Sequence, residues 1–414
     1  SDDDARRGDL TAVAKIQADE LGRTDDAIAT WRQVREAFGE DVAVVDALSL
    51  LLARAERWSE LLELLERASA TETDPARRAM LKARAGDVFR ARGDSPEETL
   101  AAYRAALDDA PGQLDALAGM RAMLDVPSAH DAATAALDRA FRRTGDWGAI
   151  VDLTEHRLAA TAEVPARLEV LRESAEIAEQ RQGDARRALT LLARALPLSA
   201  GVGADGAELE SEIERLAQQV GEWSIVADAY RAASAASPEA DSHRLALRLG
   251  EILEGTLDDR EGALDAFVRV ARADRSNLRA ATATERVGAA CGRWDAAAEA
   301  LVTTSGALGR IDPALSDAFD AAVDGGEDPA ASWALALSAA DAQMHTTVLP
   351  DPLKAALLTW AASRHQRGRG DLDAAEAFLG RAVALDNGDV ARLQQYAALQ
   401  RRSPGHALVE TLRS

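Results

Sequence analysis

Short polar or glycine-containing turns recur along this chain, each opening an alanine- and leucine-rich stretch, and four of them place a tryptophan at the same point. Trp58, Trp147, Trp223 and Trp294 begin the segments WSELLELLERA, WGAIVDLTEHRL, WSIVADAYRAA and WDAAAEALVTT. Turns without Trp lie between them at Gly93-Asp94, Gly183-Asp184 and Asp258-Asp259, roughly 35 residues from their neighbours. A unit of that length cannot bury its own apolar face, so it must stack on copies of itself. This period constrains the fold more than any local motif does. It also favours an extended binding surface over a catalytic pocket.

The stretch after each turn is equally regular. A small, a large and a small residue occur at spacings of four and three, which places them on one helical face. The sets are Ala27, Trp31 and Val34; Leu61, Leu65 and Ala68; Ala188, Leu192 and Ala195; Val226, Tyr230 and Ala233; Ala263, Phe267 and Val270; Ala297, Leu301 and Thr304; and Ala375, Leu379 and Ala382. After Gly93 a one-residue insertion precedes Tyr103 and Ala106. The small positions admit a close partner helix and the large one fills the space between. Composition agrees: 93 of 414 residues are alanine, the best helix former and a poor strand former. The spacing predicts an all-α chain.

Residues 79–112 carry Gly86, Phe89, Gly93, Tyr103, Ala106 and Pro111, and residues 370–387 (GDLDAAEAFLGRAVALDN) repeat the latter half of that pattern. In these positions the chain resembles the tetratricopeptide repeat family, a helix-turn-helix unit of about 34 residues. Most other copies lack the Trp and Gly of the first helix, and several end without Pro. The resemblance implies a right-handed α-solenoid of stacked antiparallel helix pairs, with first helices lining a concave groove for a partner's peptide or helix. Groove candidates by that resemblance are Arg90, Glu173, Arg181, Arg215, Arg244, Glu251 and Arg286. One subclass grips C-terminal carboxylates through Lys and Asn. With three lysines and two asparagines here, an arginine pocket is the available substitute.

Two irregularities divide the chain. Gly93 to Gly145 exceeds the period, and LDVPSAHD within it holds Pro127, a helix breaker. A second break is expected at AQMHTTVLPDPLK, residues 341–354. The expected regions are 1–124 with N-terminal repeats, 125–341 with central repeats, and 342–414 with a last repeat and terminal helices. Residues 198–207 read as a lengthened loop.

Other motifs yield to simpler readings. Gly201, Gly203 and Gly206 spell a dinucleotide fingerprint, but RRALTLLARALPL before them shows no strand, which that site requires. Arg-Gly-Asp occurs at 7–9, 92–94 and 369–371, two of them at repeat turns. SRHQRGRG (363–370), the most basic short stretch, reads as a solvated inter-helix turn. Six histidines show no pairing at helical spacing, and no phosphate loop or nucleophile elbow is present. Cys291 reads as a small packing residue, and the recurring tryptophans read as packing between successive helices. No catalytic residue, cofactor or metal ligand is assigned.

A net charge of −22 argues against nucleic acid, whose binding relies on cationic side chains. It serves solubility, or complements a basic partner. No apolar run is long enough to span a bilayer, about 18 residues, and one cysteine fits a reducing compartment, so a cytoplasmic setting is expected. Three lysines against 45 arginines read as the codon bias of a GC-rich, bacterial genome. The start SDDDARRGDL, without an initiator Met, fits a processed chain or a piece of a longer one. The expected function is a non-catalytic interaction scaffold that binds a protein or peptide. The alternative is the regulatory or substrate-recognition region of a larger enzyme or signalling protein.

Overall fold

The computed structural model describes residues 2–93, 95–200, 206–311, 317, 321, 340–345, 349–366 and 370–401. Among them there is no β-strand. Contacts divide the chain into two compact units, Ser1–Ala195 and Leu196–Ser414. The first holds α1 (Asp2–Asp19), α2 (Thr24–Phe38), α3 (Val42–Arg54), α4 (Trp58–Thr71), α5 (Pro75–Arg92), α6 (Pro96–Asp109), α7 (Leu114–Ala122), α8 (His130–Thr144), α9 (Trp147–Asp152), α10 (Thr154–Ala159) and α11 (Val164–Gln182). The boundary falls inside α12 (Ala185–Ser199). The second holds α13 (Gly206–Val220), α14 (Trp223–Ala236), α15 (Glu239–Gly255), α16 (Arg260–Ala273), α17 (Leu278–Ala290), α18 (Trp294–Leu308), α19 (Asp351–Arg364), α20 (Leu372–Leu385) and α21 (Val390–Gln400).

Each repeat turn is built the same way. A residue in the left-handed region ends one helix, and the next helix starts two or three residues later. Gly93, Gly145 and Gly183 hold φ near 70°, where a side chain would crowd the backbone. Two turns use another residue there: Glu56 at φ 54° before α4 and Asp258 at φ 52° before α16. The four tryptophans are the first residues of α4, α9, α14 and α18. Side-chain caps complete several starts, as where Asp146 accepts the Ala149 N–H at 3.1 Å and Asp259 accepts that of Gly262 at 2.9 Å.

Short connections make successive helices antiparallel neighbours: α1 packs on α2, α5 on α6, α15 on α16, α17 on α18 and α19 on α20. The small-large-small faces form the seam between them. Ala27, Val34, Tyr103, Ala106, Val226, Tyr230, Ala263, Val270, Leu301 and Ala375 are all fully or almost fully buried. At roughly 1.5–3 kcal/mol for each large side chain removed from water, this seam is the main favourable contribution to folding. Each unit is therefore an all-α stack of antiparallel helix pairs with the tetratricopeptide-like turn and seam.

The structure departs from strict repetition in two places. The interval from Gly93 to Gly145 contains three helices instead of two, because α7 is inserted against α5 and α6. A 3-10 turn at Met123–Asp125 ends it just before Pro127. The stretch after Trp147 is also not continuous. Thr154 Oγ1 donates to the Val151 carbonyl at 2.7 Å, a local bond that competes with the helical ladder, and the helix divides into α9 and α10 at Leu153. Of the expected terminal helices α21 is seen. Residues 402–414, 201–205 of the lengthened loop with Gly201 and Gly203, 346–348 of the second break and 367–369 of the basic stretch lie outside the described residues.

Candidate functional site

An open cleft of 380 Å³ in the N-terminal unit lies among α3, α4 and α5. Helix α3 contributes Asp46, Ser49, Leu50 and Ala53; α4 contributes Trp58, Leu61 and Leu65; α5 contributes Arg84, Asp87, Val88 and Ala91. The helical period explains this lining, since Asp46, Ser49, Leu50 and Ala53 follow one face of α3 and Arg84, Asp87, Val88 and Ala91 one face of α5. Leu50 is 69% exposed, an unusual setting for leucine on a helix of mean apolar character. Ser49 is buried, and its hydroxyl has no hydrogen-bond partner. A polar atom left so costs about 1–3 kcal/mol relative to a bonded one.

The charged rim is organised by ion pairs. Arg84 Nη1 lies 3.0 Å from Asp46 Oδ1. Asp87 accepts the Tyr103 hydroxyl proton at 2.7 Å, and Arg90 Nε donates to the same Tyr103 oxygen at 3.3 Å. Burial of the ring and the Asp87 acceptor push the Tyr103 pKa up to about 12, so the phenol stays neutral and oriented. Arg90 also stands 3.6 Å from Asp87.

The other nominated residues do not converge on this cleft. Glu173 on α11 joins a network with Arg142 at 2.7 Å and with Arg157, while Asp138 lies 2.7 Å from Arg142 and 3.4 Å from Arg157. The hydrogen bond from Arg142 leads the causes that hold the Glu173 carboxyl down to about 2. The Arg181 guanidinium sits 5.3 Å from the centroid of the Trp147 ring. In the C-terminal unit the nominated residues form a ladder across successive first helices. Arg244 on α15 grips Glu210 on α13 with two bonds of 2.7 Å, and Arg248 on α15 lies 2.8 Å from Glu214 on α13. Glu251 on α15 meets Arg248 at 3.0 Å and Arg279 on α17, and Arg286 on α17 meets Glu254 on α15 at 2.9 Å. Arg215 stands 3.9 Å from Glu212. Partners separated by 28 to 34 residues are thus tied one repeat apart.

Two features escaped sequence reasoning. Trp58 packs partly on the N-terminal core but also forms a wall of the cleft, so the packing role expected of it is only part of its placement. His130 and His156, 26 residues apart, are brought within hydrogen-bond distance. No helical spacing announces either, because both arise from contacts between helices. A leucine on a polar face was the one signal pointing to Leu50.

No family model matches this chain, and no curated protein matches it. Among solved structures, it is similar to Naa15/Naa10 bound to HypK-THB, at 18% identity and a TM-score of 0.25, over 96% of this chain and 61% of that one. It is also similar to the TPR domain of P58(IPK), at 13% identity and a TM-score of 0.25, over 96% and 98%. A third is yeast Tom70, at 13% identity and a TM-score of 0.21, over 96% and 89%. No helix among the described residues is long and apolar enough to cross a membrane.

Proposed function

We propose that the chain is a protein-interaction scaffold, and that its N-terminal unit takes a partner segment in the cleft of α3, α4 and α5. The observation that carries this reading is the combination of exposed Leu50 with the buried, unpartnered Ser49 hydroxyl in one apolar cleft. Burying Leu50 and the Trp58 face under a partner is favourable, and a partner polar group reaching Ser49 would satisfy it. The fitting segment presents a bulky apolar side chain beside a lysine or arginine. The chain's net charge of −22 favours that charge; at the rim itself Asp46 and Asp87 are already paired with Arg84 and Arg90.

Of the nominated residues, Arg90 neighbours this cleft through Asp87 and Tyr103. Glu173, Arg181, Arg215, Arg244, Glu251 and Arg286 keep register between or along helices, and meet a partner with what their pairs leave exposed. The role is recognition, with no reaction assigned to the cleft.

The test is selection of random displayed peptides on the wild-type chain and on Leu50→Glu, a change at an exposed position that leaves folding intact. Wild type is expected to enrich apolar-basic segments that Leu50→Glu fails to enrich. Identical selections from both proteins, or enrichment without that chemistry, would overturn the proposal.

A further inference from the structure

We propose that His130 and His156 form a two-imidazole site for a divalent transition cation such as Zn²⁺. This inference is independent of the cleft. His130 opens α8 just after the Pro127 break, and His156 lies on α10. The fold sets His130 Nε2 at 3.2 Å from His156 Nδ1, with ring centroids 5.3 Å apart. On the other side of its ring, His130 Nδ1 lies 3.0 Å from the Asp131 carboxylate.

The chemistry rests on the proton count. A carboxylate only accepts, so His130 Nδ1 carries a proton and donates it to Asp131. With His130 neutral, Nε2 holds a lone pair and the contact between the rings takes its proton from His156 Nδ1. When the His156 proton sits on Nε2, the other tautomer of the same neutral ring, Nδ1 is freed and a cation meets two neutral imidazole nitrogens. The spacing suits it: two Zn–N bonds of about 2.05 Å at a tetrahedral angle set the nitrogens about 3.3 Å apart, close to the distance seen. Modest ring rotation turns both lone pairs to a common point. Asp131 meanwhile does what carboxylates commonly do behind metal-binding histidines, fixing the tautomer and the ring orientation.

The surroundings admit a cation. The His130 side chain is 19% exposed, so water reaches the pair and can complete the coordination. Asp131 brings negative charge to it, while Glu155 is paired with Arg194. Histidine nitrogen is a donor that suits Zn²⁺, Cu²⁺ and Ni²⁺ over Mg²⁺ or Ca²⁺. A bound ion would clip the start of α8 onto α10, across the irregular stretch where the repeat pattern is interrupted.

The test titrates ZnCl₂ into the full chain near pH 7.5, by calorimetry and by the imidazole resonances of the protein. Wild type is expected to bind one equivalent, shifting the His130 and His156 signals first and leaving MgCl₂ without effect. His156→Gln, which keeps a neutral polar side chain in place, should lose that binding by at least tenfold. Asp131→Asn should weaken it by about 10–100-fold with both histidines intact. His243→Ala should bind as wild type does. Binding of equal strength and stoichiometry in His156→Gln, or shifts at other histidines in place of this pair, would overturn the proposal.

Discussion

Gly86 on α5 lies so close against Tyr103 on α6 that a methyl group on its Cα would fall 2.6 Å from Tyr103 Cε1. The ring cannot retreat. It is fully buried, and Gly119 of the inserted helix α7 closes on it from the other direction. Its hydroxyl is fixed as well, donating to Asp87 and accepting from Arg90. Gly250 against Phe267 repeats the relationship in the C-terminal unit, with a Cβ 2.6 Å from Cζ.

Gly86→Ala should therefore destabilise the N-terminal unit, although alanine is the better helix former by about 1 kcal/mol. Overpacking a site without freedom to relax costs about 1–3 kcal/mol and outweighs that gain. Urea denaturation should show the loss, and Tyr103→Leu in the same chain should recover part of it. Gly86→Ala at or above wild-type stability would mean that α5 and α6 can separate, contrary to this packing.

The two turns without glycine predict the opposite sign. Glu56 holds φ 54° at a position where other turns hold Gly. A side chain in the left-handed region costs roughly 1–2 kcal/mol, and glycine gives back part of this through its freer unfolded state. Glu56→Gly should raise stability by about 0.5–1 kcal/mol. Asp258→Gly should gain less, since Asp tolerates that region better than Glu does. Thermal melts of both variants decide the order.

Much of this fold was legible in the sequence because its cause is periodic. A turn residue with positive φ, a helix start and a small-large-small face repeat together, so Ala263, Phe267 and Val270 could be placed at the seam from spacing alone. The split at Leu153 was not legible, since it sits beside Thr154, whose hydroxyl contacts both the Val151 carbonyl and Ser174 on α11, and the second contact depends on how the helices pack. Nor were the outward residues. Arg244 and Glu210 read singly as solvated charges, and their pairing depends on how one repeat lies over the next. The same holds for the cleft, whose walls come from three helices, and for the histidine pair.

Ser49 separates stability from recognition. Its hydroxyl is buried without a partner, so Ser49→Ala removes an unfavourable group and should stabilise the free chain by up to about 1 kcal/mol. If a bound segment bonds that hydroxyl, the same variant should bind it several-fold more weakly. Denaturation and titration with a selected peptide together test this. A variant both less stable and unaltered in binding would remove Ser49 from the argument.

The Glu173 network gives a dependence on pH. Its carboxyl is held down to about 2 from an ordinary 4.5, first by the hydrogen bond from Arg142 and then by Arg157, against the opposing effect of burial. A depressed carboxylate stabilises the fold above its unfolded pKa, and the contribution is lost as pH falls through the window from 4.5 towards 2. Its side chain is 36% exposed, so water screens the pairs and the full shift overstates their effect. Glu173→Gln should cost about 1 kcal/mol at pH 7, because it removes the counter-charge shared by Arg142 and the well-buried Arg157. Below pH 4.5 the unfolded wild-type carboxyl begins to take up its proton, and the difference between the two proteins should shrink steadily. Urea midpoints at about pH 7, 5, 4 and 3.5 measure it across that window. A gap that stays constant over that series would show that Glu173 contributes through its shape and neutral hydrogen bonds alone.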